Sequence, residues 1–473
     1  MFVSLRMDDP VQSIGHSFKF DAVGKDVAVF ILDPRGLPLG LDAKEVLKLY
    51  REYGLKALPL ICRNYAVALC DFRKKRFVLA VDQIGHATFY YKVIGDKFFA
   101  ALDLKALCQE YLPEVSREAL KMYFSCGFIP GRKTIFEGIQ KIAPGEYLSI
   151  ENGRMIVAQY VVPDIRPVRS GKKESGENLR RGLMRSMEAT QGVPVGVMFS
   201  GGFDSSLLCH LAQQYNRKLK AYTVSVQGYN QETIFQARQA AGFLGVRHEV
   251  VEIKMKQYVS AFSSVFEKLN EPAFLPYLAV AHAAFSGIPQ GVKFLFSGMG
   301  SDELLGNRFS KSRGFLKNIM SFKEYHSLRN LNNGERVAWS LYARVAASLR
   351  SYHRLSQGAG RHIVFPFLDS GVMEVVQKIP GSCRQDKKLL RSLAPDLDAF
   401  FLLSPRRDAE QLSPVLTGAI AGFYREKIRE NRALASLFGE KRMKELSRAG
   451  AREDILKCAV FDLWSRKNFP GLA

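Results

Sequence analysis

Two short segments concentrate the residues able to handle a phosphorylated substrate. The first, Ser200-Gly201-Gly202-Phe203-Asp204-Ser205-Ser206, lies between an apolar run, Val195–Phe199, and an amphipathic stretch, Ser205–Tyr215. Adjacent glycines let the backbone approach a bulky anion, and positive φ costs them little. A helix that starts just after them turns unsatisfied N–H groups and the positive end of its dipole towards that anion. Ser200, Ser205 and Ser206 add hydroxyl donors, so the segment reads as a pyrophosphate cradle. Asp204 is a poor direct neighbour for phosphate. It fits beside one as a ligand of Mg2+, which bridges carboxylate and phosphate oxygens. Neither GxxxxGK[ST] nor GxGxxG is present, so the phosphates would be placed differently from those in kinase, GTPase or dinucleotide loops.

The second segment is Phe294-Leu295-Phe296-Ser297-Gly298-Met299-Gly300-Ser301-Asp302-Glu303. Here too an apolar strand runs into a glycine turn that carries a carboxylate. Two such turns at the carboxyl ends of strands would set Asp204 and Asp302 on either side of one metal–pyrophosphate group, with Gly298 in the phosphate-binding set. Asp302 could also cap a helix beginning near Glu303, and the two roles are compatible.

The elements that must hold these turns follow from the pattern of apolar residues. From Val195 onward, strands and helices alternate: Val195–Phe199, then Leu219–Val226, Val246–Ile253 and Val292–Phe296, with helices over Ser205–Tyr215, Gln231–Leu244 and Tyr258–Leu269 between them. Strands separated by helices pair in parallel, with right-handed crossovers. Ligands of such sheets bind at the carboxyl ends of the strands. Residues 1–150 read instead as mainly β. A strand over Asp26–Asp33 and a helix over Ala43–Tyr53 precede two hairpins, Tyr65–Phe72 with Arg76–Val81 and Phe89–Val93 with Lys97–Ala101. The expected division is a first domain at 1–162, a linker at 163–176 and a second domain at 177–473. Beyond Ser310 the pattern is mostly helical.

With these motifs in place, the sequence resembles the asparagine-synthetase-like family over nearly its whole length. SGGFDSS is similar to that family's SGGxDSS loop, and SGMGSDELLG to its SGxGxDELxGG segment. Asn270-Glu271-Pro272 resembles its DEP, Phe365–Asp369 its VPFLD, Lys387–Arg391 its GKxxLR and Leu463–Arg466 its LWxR. In the first half, Asp82–Gly85 with Phe89-Tyr90-Tyr91 is similar to RDxxGxxPLYY, and Phe136–Gly145 to FxGIxxLxPG. The resemblance implies an α+β sandwich of the N-terminal-nucleophile hydrolase type, followed by an α/β domain of the adenine-nucleotide α-hydrolase type. It implies ATP and Mg2+ as cofactors, and transfer of AMP to a carboxylate before an amine attacks. Lys387 would contact the reacting phosphates. Lys387, Asp204 and Asp302 are then the expected catalytic set, with Asp204 and Asp302 holding the metal.

The departures from the family pattern bear on the substrate. A glutaminase of this family needs a cysteine after the initiating Met, where this chain has Phe2, and Val81 replaces an arginine. The first half is therefore expected to keep the fold without hydrolysing glutamine, as in lasso-peptide cyclases and β-lactam-forming synthetases. Cys62 reads as core packing rather than as a substitute nucleophile. Met299, Leu275 and Val364 stand where the family carries polar residues. All three changes remove partners that free aspartate would need. The expected activity is an AMP-forming amide ligase acting on a larger or less polar carboxylate and an amine, both within one peptide or in a small molecule. His362 and Glu271 are the candidates for a base. A precursor peptide and a partner protease would be its company. The competing readings are an ammonia-dependent asparagine synthetase and a non-catalytic nucleotide-binding regulator.

Composition bounds these readings. The net charge of +22, from 68 basic and 46 acidic residues, favours anionic partners. A tRNA-modifying enzyme would explain the charge, but the β-rich first half does not fit one, and nucleic acid is not the expected partner. No apolar run reaches the roughly 20 residues that span a bilayer, and a signal peptide is not evident, so a cytoplasmic location without membrane association is expected. The seven cysteines form no CxxC pair, which argues against a disulfide framework or a structural zinc site.

Overall fold

The computed structural model describes residues 2–8, 22–23, 26–32, 35, 43–61, 64–109, 113–161, 172–227, 230–275, 277–305, 345–379, 387–403, 434, 439 and 452–472. Cys62, Cys383, residues 163–171 of the expected linker and most of the helical pattern expected beyond Ser310, residues 306–344 and 404–433 included, lie outside the described residues. A helix over Lys172–Glu188 begins inside the segment read as linker.

The first half builds two antiparallel sheets. One contains β1 (Phe2–Arg6), β6 (Tyr90–Ile94), β7 (Lys97–Ala101) and β8 (Gln140–Lys141), in the order β1-β7-β6-β8. The other contains β2 (Ala22–Val23), β3 (Val27–Leu32), β4 (Ala66–Asp71), β5 (Arg76–Val81), β9 (Glu146–Glu151) and β10 (Arg154–Gln159), in the order β10-β9-β5-β4-β3-β2. Both expected hairpins form, with Asp71 paired to Arg76 and Ile94 to Lys97.

Side chains alternate across a strand, and β4 and β5 show what each face meets. Ala66, Ala68, Phe77, Leu79 and Val81 pack with Phe89, Tyr91 and Phe98 of the four-stranded side. Val67, Leu69, Val78 and Ala80 pack on the opposite face with Val46, Leu47 and Tyr50 of the helix Ala43–Tyr53. Both faces are covered, so β4 reads as a continuous apolar run and is buried throughout.

The second half holds a five-stranded, all-parallel sheet. Its strands are β11 (Val195–Met198), β12 (Lys220–Val226), β13 (Arg247–Ile253), β14 (Phe294–Ser297) and β15 (His362–Val364), in the order β13-β12-β11-β14-β15. Helices Phe203–Ala212 and Gln231–Leu244 connect β11 to β12 and β12 to β13, as the alternating pattern predicts. The chain then returns past β11 to place β14 on its other side. The reversal of winding between β11 and β14 opens a crevice at their carboxyl ends, where ligands of open α/β sheets bind. The short strand β15 was not foreseen; three residues at a sheet edge carry too little pattern to read.

The largest apolar core crosses the boundary between the halves. Ile84, Tyr90, Leu104, Tyr123 and Phe136 of the first half share it with Val197 and Phe296 of the parallel sheet and with Trp464 of the helix Arg452–Asn468. Phe136, Trp464 and Phe469 pack ring against ring, at centroid distances of 4.8 to 6.2 Å.

Candidate functional site

Register brings the two glycine turns together. Met198 pairs with Ser297, so β11 and β14 end side by side and Ser200 and Gly298 leave the sheet together. A Cβ on Gly298 would stand 3.3 Å from the Cβ of Asp204 and 3.4 Å from the amide nitrogen of Ser205. The second turn therefore lies directly against the first. Gly201 has φ +67°, and a Cβ there would meet the backbone of Ala237 at 2.5 Å. This position needs glycine for both conformation and space.

The helix Phe203–Ala212 starts two residues earlier than the pattern suggests, directly after Gly202. Asp204 and Ser205 thus stand in its first turn. No side chain caps it, which leaves the first amides for a ligand. The turn is braced from within. Ser205 Oγ accepts from the Ser200 amide at 3.3 Å and donates to the Gly202 carbonyl at 3.1 Å, and Gly202 N–H donates to Ser200 Oγ at 3.3 Å. Ser200 Oγ and Ser205 Oγ are 3.2 Å apart. Ser206 Oγ is buried with no hydrogen-bond partner.

Asp302 lies inside the first turn of the short helix Ser301–Leu305 rather than at a cap before Glu303. Lys387 enters from a separate part of the chain, at the head of the helix Lys388–Arg391. Its Nζ is 2.5 Å from Asp204 Oδ2 and 2.6 Å from Asp302 Oδ1. The three residues expected to be catalytic therefore converge on one point, although 183 residues separate Asp204 from Lys387. Asp204 Oδ1 stays buried without a partner.

These residues fit Mg2+ with a polyphosphate. Mg2+ takes one or two carboxylates and completes its shell with phosphate and water oxygens, rather than demanding an all-protein cage. No group of three or more candidate metal-ligating side chains occurs among the described residues. Here there are two carboxylates, an orphaned carboxylate oxygen, an orphaned hydroxyl and an uncapped helix start, all at one end of the sheet.

Other expected residues have different tasks. His362 opens β15 and pairs with Phe294, so it sits at the amino end of the sheet, away from the turns. It stacks on Phe294 at 5.6 Å. Glu271 is committed elsewhere: Lys141 Nζ lies 2.7 Å and the Tyr90 hydroxyl 3.2 Å from its Oε2. Burial pulls the Lys141 ammonium down to about 8, against the opposing pull of Glu271. His362 thus lies away from the two turns, and Glu271 is engaged through Oε2 by a buried lysine and a tyrosine. Asp369 of the FLD segment binds Arg35 at 3.0 Å and Asn64 at 2.9 Å, and so ties the second half to the first. A cleft of about 690 Å³ lies beside that tie, between Arg35, Tyr65, Arg181 and Glu374. Asp369 lines it, but neither the residues of the Ser200–Ser206 turn nor Asp302 and Lys387 do, so its size does not mark the place where those groups converge.

Arg361 escaped the sequence reading, and the motif that ends at Arg391 gave that residue no task. Arg391 lies over the ring of Phe203, 5.4 Å from its centroid, and is ion-paired with Asp398. Arg361 is fully buried and donates to the carbonyls of Phe285, Ile288, Pro289 and Val292, which fastens the approach to β14. Apolar periodicity carries no signal for a buried arginine satisfied by carbonyls.

The profile described as "Asparagine synthase" matches residues 178–466, more than half of the chain and the part that holds this site. The chain belongs to the asparagine synthase family. A "Glutamine amidotransferase domain" profile matches residues 40–161 in the antiparallel half. "Asparagine synthetase [glutamine-hydrolyzing] 1" of Bacillus subtilis is 26% identical over 56% of this chain and 43% of its own length. "Amidase chry2" of Gibberella zeae is 29% identical over 56% of this chain and 43% of its own. "Asparagine synthetase [glutamine-hydrolyzing] 2" of Arabidopsis thaliana is 24% identical over 77% of this chain and 60% of its own. The chain spans about half the length of the curated relatives it matches. No described helix is long and apolar enough to cross a membrane.

Proposed function

We propose that this protein is an ATP-dependent amide ligase that adenylates a carboxylate, releases pyrophosphate and passes the acyl group to an amine without hydrolysing glutamine. The convergence of Asp204 and Asp302 beside the SGGFDSS turn carries this reading. Membership of the asparagine synthase family supports it.

In this reading the Gly201–Gly202 backbone and the amides opening the helix Phe203–Ala212 receive the β- and γ-phosphates. Ser206 Oγ gives them a further donor. Mg2+, held by Asp204 and Asp302, would neutralise charge on the departing pyrophosphate. A carboxylate oxygen bonds to the α-phosphorus as the bond to the pyrophosphate oxygen breaks. The amine then bonds to the acyl carbon, AMP departs, and the amine's proton passes to solvent or to AMP. Fixed donors and Lys387 stabilise the charge that builds on phosphate oxygens without having to reorient.

The described cysteines support independence from glutamine. Burial pushes the thiols of Cys70, Cys108 and Cys126 up to about 12, the reverse of what a nucleophilic thiolate requires. Two apolar residues at the carboxyl end of the sheet bear on the acyl substrate. Met299 follows Gly298 in the turn against Asp204, and Val364 ends β15 beside Phe296. Neither side chain can pair with the polar groups of free aspartate, so a peptide side-chain carboxylate or a less polar small acid suits the site better. For a peptide substrate, the precursor and the protease that processes it would be the partners.

The test is ATP–pyrophosphate exchange with a panel of carboxylates. Exchange driven by peptides or apolar acids, and not by free L-aspartate, is expected. Aspartate-driven exchange would replace this reading with ammonia-dependent asparagine synthesis. ATP binding without exchange for any acid would leave a nucleotide-binding regulator.

A further inference from the structure

The place where two carboxylates would share a divalent cation is taken by an ammonium group. Lys387 Nζ contacts Asp204 Oδ2 and Asp302 Oδ1 at 2.5 and 2.6 Å, with the lysine and Asp204 side chains only 13% and 18% exposed. Mg2+ binds carboxylate oxygens at about 2.0–2.1 Å. It could not reach both of these oxygens while Nζ lies between them. Two carboxylates left alone in a half-buried crevice would repel each other and lose hydration. Lys387 prevents that.

We propose that Lys387 is the resident cation of the Asp204–Asp302 pair and excludes free divalent metal until a metal–nucleotide complex displaces it. This rests on the turn at Ser200–Ser206 being the nucleotide site. A bare metal ion must evict the lysine and gains only two protein ligands. In a metal–triphosphate complex the phosphate oxygens also accept from the turn's amides and Ser206, and they offer the evicted ammonium new partners. The lysine thus makes metal binding conditional on nucleotide, and the same side chain reaches the reacting phosphates only once the metal has arrived.

The backbone agrees with this. Lys387 has φ +56°, in the left-handed region that non-glycine residues occupy only when their surroundings hold them there. The two ion pairs supply that hold. Breaking them frees the head of the helix Lys388–Arg391 to reset as the crevice fills.

The experiment titrates the full chain with Mn2+ alone, following the electron paramagnetic resonance signal of free Mn2+. Lys387→Met keeps the aliphatic stem and removes the charge. It should bind Mn2+ alone about tenfold or more tighter than the wild type. Lys387→Gln carries the same expectation, so a folding fault in one variant does not decide the matter. Adding Asp302→Asn to either should abolish the gained site. Mn2+ alone should raise the melting temperature of Lys387→Met and leave the wild type unmoved. Equal affinity for free Mn2+ in wild type and both variants, with wild-type binding of Mn–ATP intact, would overturn the lysine's role alone. A wild type that binds no Mn–ATP would overturn the nucleotide site beneath it.

Discussion

Gly298 presents its bare Cα to Asp204, leaving only 3.3 Å between the Cβ of Asp204 and the place where a methyl group on the glycine would stand. The position of the Asp204 carboxylate is therefore set by the neighbouring strand's turn as well as by its own helix. Gly298→Ala should shift Asp204 by a few tenths of an ångström. Misplacement of a reacting group is costly to rate, so exchange activity should fall about 10- to 100-fold. The melting temperature should stay within a few degrees. Unchanged exchange kinetics would show that the contact does not position the carboxylate.

Gly201→Ala should behave differently. Its φ of +67° and the 2.5 Å approach to the backbone of Ala237 give the added methyl no soft neighbour to displace. Left-handed strain with overpacking should cost about 2–4 kcal/mol of stability. Urea denaturation would measure this. A loss below about 0.5 kcal/mol, the size of an ordinary surface substitution, would mean that the turn relaxes freely.

Asp204→Asn and Asp302→Asn keep the shape and remove the charge that would hold the proposed metal. Each should lower ATP–pyrophosphate exchange by about 100-fold or more, since metal-assisted charge stabilisation is worth several kcal/mol. Exchange at wild-type rate in either variant would take that carboxylate out of the metal site.

Ser206→Ala separates binding from folding. The Ser206 hydroxyl is fully buried and has no hydrogen-bond partner, so its removal relieves a buried polar group that is unsatisfied without ligand. Stability without nucleotide should hold or rise by up to about 1 kcal/mol, while ATP affinity should fall by a comparable amount. Calorimetry on the wild type and Ser206→Ala reads both quantities. A drop in stability without a drop in affinity would give the hydroxyl a structural role instead.

Acid should destabilise the fold through two histidines. Burial, reinforced by Lys268, holds His282 down at about 4. Burial, then His86, Arg35 and His362, holds His353 well below its usual value. In the unfolded chain both protonate near 6.5. Between that value and about 4 the unfolded state binds more protons, so stability is full above about 6.5 and falls as pH drops. Each unit of depression is worth about 1.4 kcal/mol. Urea midpoints from pH 7 to 4.5 should fall, and His353→Phe should flatten the slope. The same slope in that variant would clear His353 of the effect.

Much of the site was legible because its chemistry is local in sequence. The serines, glycines and aspartate of 200–206 occupy one turn, and their types alone suggest a phosphate loop. The strand-to-turn pattern repeated at Phe296–Asp302, and alternation of strand and helix predicted that both turns would share one sheet edge. The convergence of Lys387 on both aspartates was not legible in geometry; only its motif pointed to it, because no local pattern encodes a contact across 183 residues. The surroundings of the base candidates were illegible for a related reason. His362 and Glu271 have suitable side chains, but the end of the strand and the buried partner each one meets are decided by tertiary packing. Arg361 and Asp369 were likewise invisible as anchors, since their partners are carbonyls and groups far along the chain.

The core that runs from Tyr123 and Phe136 through to Trp464 and Phe296 has a consequence for cutting the chain in two. Removing the first half would strip the wall from the second and leave wet a surface built to be dry, whatever chemistry the first half carries. Neither half should be expected to stay dissolved and folded once severed from the other.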